Sequence, residues 1–235
     1  MRILVIPDVH LKPWIFDEAD KIAKKHQIDS FAFVGDLVDD FGQSTNIRLY
    51  NKTFDMAEQF IRNHPNIVWC WGNHDASYMW NRMETGFSFF AQDTVVKRNR
   101  QLKELLGNRA GFVRRVDKLL FSHAGLMHSF IERIFPPNTP IDVIIKDIDG
   151  FNSIFMWEDD SPIWARPQYD VWCKPHDFGL LQVVGHTPVA SNGMNGGVLS
   201  VDSFSTYQDG KPIGTQNFVI IDSETCKYKE ASIKK

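Results

Sequence analysis

The chain has 235 residues, 43% of them hydrophobic and 23% charged, with a formal net charge of -3. That length suits one large domain with inserts and buries a substantial core, while the charge balance excludes the bulk basic character that would point to nucleic acid. Cys70, Cys173 and Cys226 are odd in number and far apart, which excludes a disulfide framework or a CxxC metal knuckle; with no run long enough to cross a bilayer, the expectation is a cytoplasmic protein without a membrane partner.

In chain order, the apolar run Ile3 to Ile6 predicts a strand, and Pro7 ends it because proline has no N–H to donate. The run is too short for a signal-peptide core. Asp8-Val9-His10 follows it. Ala19, Ile22 and Ala23 at helical spacing, with acids early and lysines late, predict a helix from about Asp17 to Lys25. A second strand, Ser30 to Val34, runs into Gly35-Asp36-Leu37-Val38-Asp39-Asp40. Strand, helix, strand with polar loops between them is the rhythm of an α/β domain whose parallel strands are buried.

Thr45 or Asn46 caps a predicted helix through about Asn63, with Leu49, Phe54, Ala57, Phe60 and Ile61 on one stripe. Ile67 to Trp71 predicts a third buried strand, which stops at Gly72 and presents Asn73, His74 and Asp75 in succession. Ser77 to about Leu106 reads as helical, and its Lys97, Arg98, Arg100 and Lys103 as a solvated basic face. Phe112 to Val116 and Lys118 to Phe121 predict a strand pair ending in Ser122-His123-Ala124-Gly125.

The stretch from Leu126 to Phe178 holds predicted helices near Ser129 to Phe135 and Ile141 to Asp149, then a Trp-, Pro- and Asp-rich segment, and reads as a cap over the sheet ends. Leu180 to Val184 predicts a strand ending in Gly185-His186-Thr187-Pro188, and Val198 to Val201 another ending in Asp202-Ser203. Phe218 to Ile221 and Lys227 to Ile233 close the chain as antiparallel strands. The expected organisation is a single domain over residues 1–235, with a helical insert at about 77–107 and a cap-like segment at about 126–178.

Asn, His or Asp at one strand end is most simply a turn former. Repeated at five strand ends, the pattern asks for another reason. Collected together, Asp8, His10, Asp36, Asn73, His123 and His186 are oxygen and imidazole donors without thiolate, suited to Mn, Fe, Zn or Mg rather than an iron–sulfur cluster. Six donors exceed one four-coordinate site with an open position, whereas two ions can share one carboxylate.

The ordered motifs Asp8-Val9-His10, Gly35-Asp36-Leu37-Val38-Asp39, Gly72-Asn73-His74-Asp75, Ser122-His123-Ala124-Gly125 and Gly185-His186-Thr187-Pro188 resemble those of the calcineurin-like metallophosphoesterases, over residues 8 to 202. The resemblance implies an α/β (α+β) fold of two mixed sheets packed as a sandwich and flanked by helices. It implies two divalent ions, Mn foremost with Fe, Zn, Mg or Ni as others, and phosphoester hydrolysis by a hydroxide bridging them. In roles it implies Asp8 and His10 on the first metal, Asp36 bridging, and Asn73, His123 and His186 on the second. His74 looks like the general acid or phosphate-contacting imidazole, oriented by Asp39, and Asp202 like a support for the site.

Pro188 in place of a second histidine favours the branch of serine/threonine phosphatases and symmetrical diadenosine tetraphosphate hydrolases. Asp40 departs from that branch, which usually has an arginine there, and Trp71 likewise replaces an arginine of bacterial and phage relatives. Arg166, in Trp164-Ala165-Arg166, is the candidate phosphate clamp, with Arg82 a weaker one and Asn73 as a further phosphate contact. The expected function is phosphomonoester hydrolysis, on phosphoprotein or small nucleotides. The alternatives are a dinucleoside polyphosphate pyrophosphohydrolase and a non-catalytic binding module on the same scaffold.

Overall fold

The computed structural model describes residues 1–232, so that Ile233 of the last predicted strand lies outside the described residues. Four short apolar segments, β1 (Arg2–Ile6), β2 (Ser30–Phe33), β3 (Ile67–Cys70) and β4 (Ala110–Gly111), lie parallel in that spatial order. Such strands must be covered on both faces, which is why they are apolar throughout instead of alternating with polar residues. The covering layers are separated by strand parity: Ile3, Val5, Ala32 and Val34 point towards a second sheet, while Leu4, Ile6, Phe31 and Phe33 join the larger core that also contains Phe16, Phe54 and Phe60.

Those last three come from α1 (Trp14–His26) and α2 (Ile47–Asn63). Asn46 caps α2 as expected, its Oδ1 accepting from Leu49 N at 3.2 Å. Helix α1 starts earlier than predicted, because Pro13 at φ -59° is already helical and Ile15 and Phe16 extend the buried stripe. Residues 77–106 are not one helix. Instead α3 (Asn73–Met79) begins on Asn73 itself, and α4 (Gln92–Leu106) follows a non-helical stretch in which Asn81 (φ 51°) and Gly86 (φ 92°) take left-handed conformations.

The second sheet contains β5 (Val113–Val116) and β6 (Leu119–Ser122), a hairpin turning at Asp117. The cap-like stretch supplies α5 (His128–Ile134), α6 (Ile141–Ile148) and α7 (Ser153–Met156), the last not anticipated. Strand β7 (Leu181–Val184) is parallel to β6 and to β9 (Val198–Ser200). An unanticipated strand, β8 (Gly193–Asn195), pairs antiparallel with β9. Finally β10 (Asn217–Asp222) returns to the first sheet beside β1, and β11 (Tyr228–Ser232) forms its edge. The described residues thus form a six-stranded and a five-stranded mixed sheet, face to face. Among the described residues no helix is long and apolar enough to cross a membrane.

Candidate metal centre

Parallel strands end on one side of a sheet, so the polar residues after β1, β2, β3, β6 and β7 are delivered to one place. Two motif glycines set how closely they approach. A Cβ at Gly72 would overlap Asp36 Oδ1, and one at Gly185 would overlap Asp8 Oδ1. His10 (φ 43°), Asp36 (φ 58°), Asp39 (φ 64°) and His186 (φ 63°) take left-handed backbone conformations, an arrangement costly for non-glycine residues that concentrates at working sites.

The imidazoles share a hydrogen-bonding logic. His123 Nδ1 lies 2.8 Å from Val34 O, His10 Nδ1 lies 2.9 Å from Asp39 O, and His186 Nε2 lies 3.2 Å from Trp164 O. A carbonyl only accepts, so each of these nitrogens carries the ring proton, and in a neutral ring the other nitrogen is left with a lone pair. Those second nitrogens face other acceptors. His123 Nε2 sits 2.8 Å from Asn73 Oδ1, 3.2 Å from Asp36 Oδ2 and 3.1 Å from His186 Nδ1, and His10 Nε2 sits 3.7 Å from Asp36 Oδ2. Asp8 is buried, with Oδ2 accepting from His186 N at 2.9 Å and Oδ1 without any partner among the described residues.

Lone pairs facing lone pairs, with an orphaned carboxylate oxygen alongside, are what a cation resolves. Backbone carbonyls that fix the far ring nitrogens are the usual support of metal-binding histidines. The donor set therefore fits divalent ions. Two groups of potential ligand atoms share Asp36: His10, Asp36 and His74 in one, Asp36, His123 and His186 in the other. The first contains His74 where the sequence reading places Asp8.

Electrostatics point the same way. Burial first, and then the charges of Asp202 and Asp36, push the Asp8 carboxyl well above its ordinary range. Asp36 moves oppositely: burial works against its charge, but positive charge on the His123, His74 and His10 imidazoles would hold it well below the usual carboxylate range, the service that a cation at their lone pairs performs when the rings are neutral. Burial, then His123 and Arg166, keep His186 low. Burial also lowers His10. Asp202 is raised by burial and bonded by Ser205, whose N and Oγ donate to it at 3.2 and 2.8 Å.

His74 lies beside this cluster. Its backbone N donates to Asp36 Oδ1 at 3.0 Å, and its Nδ1 is 3.1 Å from Asp39 Oδ2. Burial opposes its protonation, yet Asp36 and then Asp39 raise it to about 9. Asp39 Oδ1 accepts from Tyr50 Oη and Tyr78 Oη, both at 2.6 Å, an arrangement absent from the sequence reading. Asp75 accepts from the backbone N of Gly72, Asp36 and Leu37 at 3.0, 3.0 and 3.1 Å, and so staples two strand ends together.

His10, His74 and His186 open into a cavity of about 510 Å³, also lined by Arg166, Pro188 and a residue the sequence reading passed over, Lys12. Asp40 does not stand as a free charge there, since Lys12 Nζ lies 3.4 Å from its Oδ2. Trp71 is only 2% exposed and packs on Trp69 with ring centroids 6.2 Å apart, so it extends the core in place of the arginine of relatives. Arg82 stacks over Trp157, its guanidinium 5.6 Å from the ring, and is not among the cavity's lining residues.

A family model for the calcineurin-like phosphoesterases matches residues 1–210. No curated protein matches the chain. Among solved structures it is similar to a cold-active protein tyrosine phosphatase, at 15% identity over 97% of this chain and 78% of that one, with a TM-score of 0.57. It is also similar to the cold-active protein-tyrosine phosphatase of a psychrophilic Shewanella species, at 14% identity over 97% of this chain and 80% of that one, with a TM-score of 0.56. At such identities the likeness is one of fold.

Proposed function

The chain belongs to the calcineurin-like phosphoesterase family, a family of metal-dependent hydrolases, and from that premise we propose that it hydrolyses phosphomonoesters with two divalent ions, Mn foremost. Asp8, His10, Asp36, Asn73, His123 and His186 would hold the ions, with Asp36 shared. Such ions supply positive charge for phosphoryl oxygens and acidify water towards neutral pH. The observation that carries this reading is the set of three imidazoles whose far nitrogens are fixed by backbone carbonyls while their near nitrogens converge on Asp36, Asn73 and one another.

The chain's own residues divide the remaining work. With Nδ1 turned to Asp39, His74 carries its transferable proton on Nε2, placed to assist the leaving oxygen. Asn73 directs Oδ1 at His123, which leaves its NH₂ group for a phosphate oxygen. Arg166 adds a guanidinium to the cavity wall. The substrate class, small nucleotides or phosphoprotein, rests on Pro188 standing where phosphodiesterase relatives keep a second histidine. The cytoplasmic setting rests on the cysteine usage.

Purified protein with Mn is expected to hydrolyse p-nitrophenyl phosphate and to bind two ions per chain. Asn73→Ala or His123→Ala is expected to abolish turnover and lower metal content. Full activity in both variants would sink the ligand assignment. Faster hydrolysis of diadenosine tetraphosphate than of a phosphopeptide would move the substrate class to anhydrides.

A further inference from the structure

Asp40 lines the cavity beside the donor cluster, and the cation that faces it there is Lys12. Lys12 is two residues past His10, on the loop between β1 and α1, and only 8% exposed. Among the described residues its ammonium has two polar neighbours, His10 O at 3.4 Å and Asp40 Oδ2 at 3.4 Å. A tight charge-assisted N–H···O bond settles at about 2.7–2.9 Å, and an ammonium has three donors and no acceptor. Lys12 is therefore held without being spent.

Burying a lysine is costly unless its charge is well paired. If Lys12 only tied two loops together, the tie would be short. It is long, and the group lines the same cavity as His10, His74 and His186. Arg166 faces that space in a comparable state, its Nη1 making contacts of 3.5 Å to His186 O and 3.4 Å to Thr187 Oγ1. Two loosely held cations from separate loops thus border one volume beside the donor cluster.

We propose that Lys12, positioned by Asp40, is a substrate-binding residue that contacts the phosphoryl dianion and selects phosphomonoesters over phosphodiesters. This rests on the phosphoesterase reading above and adds the residue that sets the preference. A monoester phosphate is close to dianionic at neutral pH. A diester carries one charge and has an organic substituent in place of a terminal oxygen, so a second cation rewards it less. Asp40 holds the ammonium at the rim while its own charge is offset by it.

The test compares wild type, Lys12→Gln and Lys12→Arg for metal content, calorimetric affinity for inorganic phosphate, and kcat and KM on p-nitrophenyl phosphate and bis(p-nitrophenyl) phosphate. In Lys12→Gln, metal content is expected to stay at the wild-type level, while phosphate affinity and monoester KM worsen roughly tenfold, the scale of one lost bond to a charged group. Diester kcat/KM is expected to fall several-fold less, and Lys12→Arg to recover most of the loss. Equal losses on both esters, unchanged phosphate affinity, or metal lost along with activity would each overturn the role of Lys12. Wild-type protein inactive on both esters would overturn the phosphoesterase reading instead, and this inference with it.

Discussion

The inner end of the cavity, where the imidazole and carboxylate donors cluster, and its mouth are built by opposite means. At the inner end Asp8, Asp36, Asn73, His123 and His186 follow strands whose register is fixed, and all are buried. The inner contacts are short, from 2.8 Å for His123 Nδ1 on Val34 O to 3.2 Å for His186 Nε2 on Trp164 O. At the mouth, Lys12, Asp40 and Arg166 come from loops, the Lys12 ammonium and the Arg166 guanidinium make contacts of 3.4 to 3.5 Å, and Phe41 and Tyr207 are 47% and 57% exposed. Sheet architecture dictates where the inner donors converge. Loops leave the mouth free to choose a substrate.

His74 stands on the border between the two, and its replacement sharpens the division most. His74→Asn is expected to retain metal and to slow p-nitrophenyl phosphate turnover roughly 10²-fold or more, the scale of lost acid–base assistance. Metal lost in proportion would move His74 to the inner end, as its grouping with His10 and Asp36 allows. Gly72→Ala probes the inner end without touching a donor. Its Cβ would overlap Asp36 Oδ1, and a displacement of about 1 Å at a reacting centre costs roughly 10²-fold in rate. Near-normal metal content and kcat in Gly72→Ala would show that the inner end tolerates movement, and the contrast with the mouth would fail.

The division also explains what the sequence made legible. Each inner donor follows its own apolar run within a few residues, so local pattern suffices: Ile3 to Ile6 announces Asp8, and Ile67 to Trp71 announces Asn73. Contacts that join distant segments leave no local mark. The ion pair of Lys12 with Asp40 joins loops after different strands, and Tyr50 in the apolar stripe of α2 looks like another core aromatic until its hydroxyl is found on Asp39. Strand β8 and helix α7, at 3 and 4 residues, are too short for periodicity to register. The start of α3 at Asn73 was hidden because its cap is Gly72, whose backbone N donates to Asp75 in place of a side-chain cap.

The Asp39 carboxylate supplies the smaller predictions. Tyr78 donates to Asp39 and accepts from Ser88 N at 2.7 Å, so it also anchors the loop between α3 and α4. Tyr78→Phe is expected to lower kcat about tenfold, a loss on the scale of one strong buried hydrogen bond. If the loss comes through His74, an alkyl phosphate should suffer more than p-nitrophenyl phosphate, because its leaving oxygen needs the proton more. Equal losses on both esters would place Tyr78 in loop anchoring alone.

Tyr50→Phe should have the least effect. Tyr50 gives the same carboxylate oxygen its second phenol from helix α2, and Tyr78 remains to satisfy that oxygen. A loss of roughly twofold to fivefold in kcat, with KM and metal content unchanged, is expected for one net hydrogen bond that is partly compensated. The double variant distinguishes two ways of building the support. If the phenols act together on Asp39, removing both leaves Oδ1 with neither phenol donor and costs more than the product of the single losses, as residues sharing one partner do. A strictly multiplicative double variant would mean that Asp39 is held independently of them, and the phenols would then belong to the packing of α2 and α3 instead of to the orientation of His74.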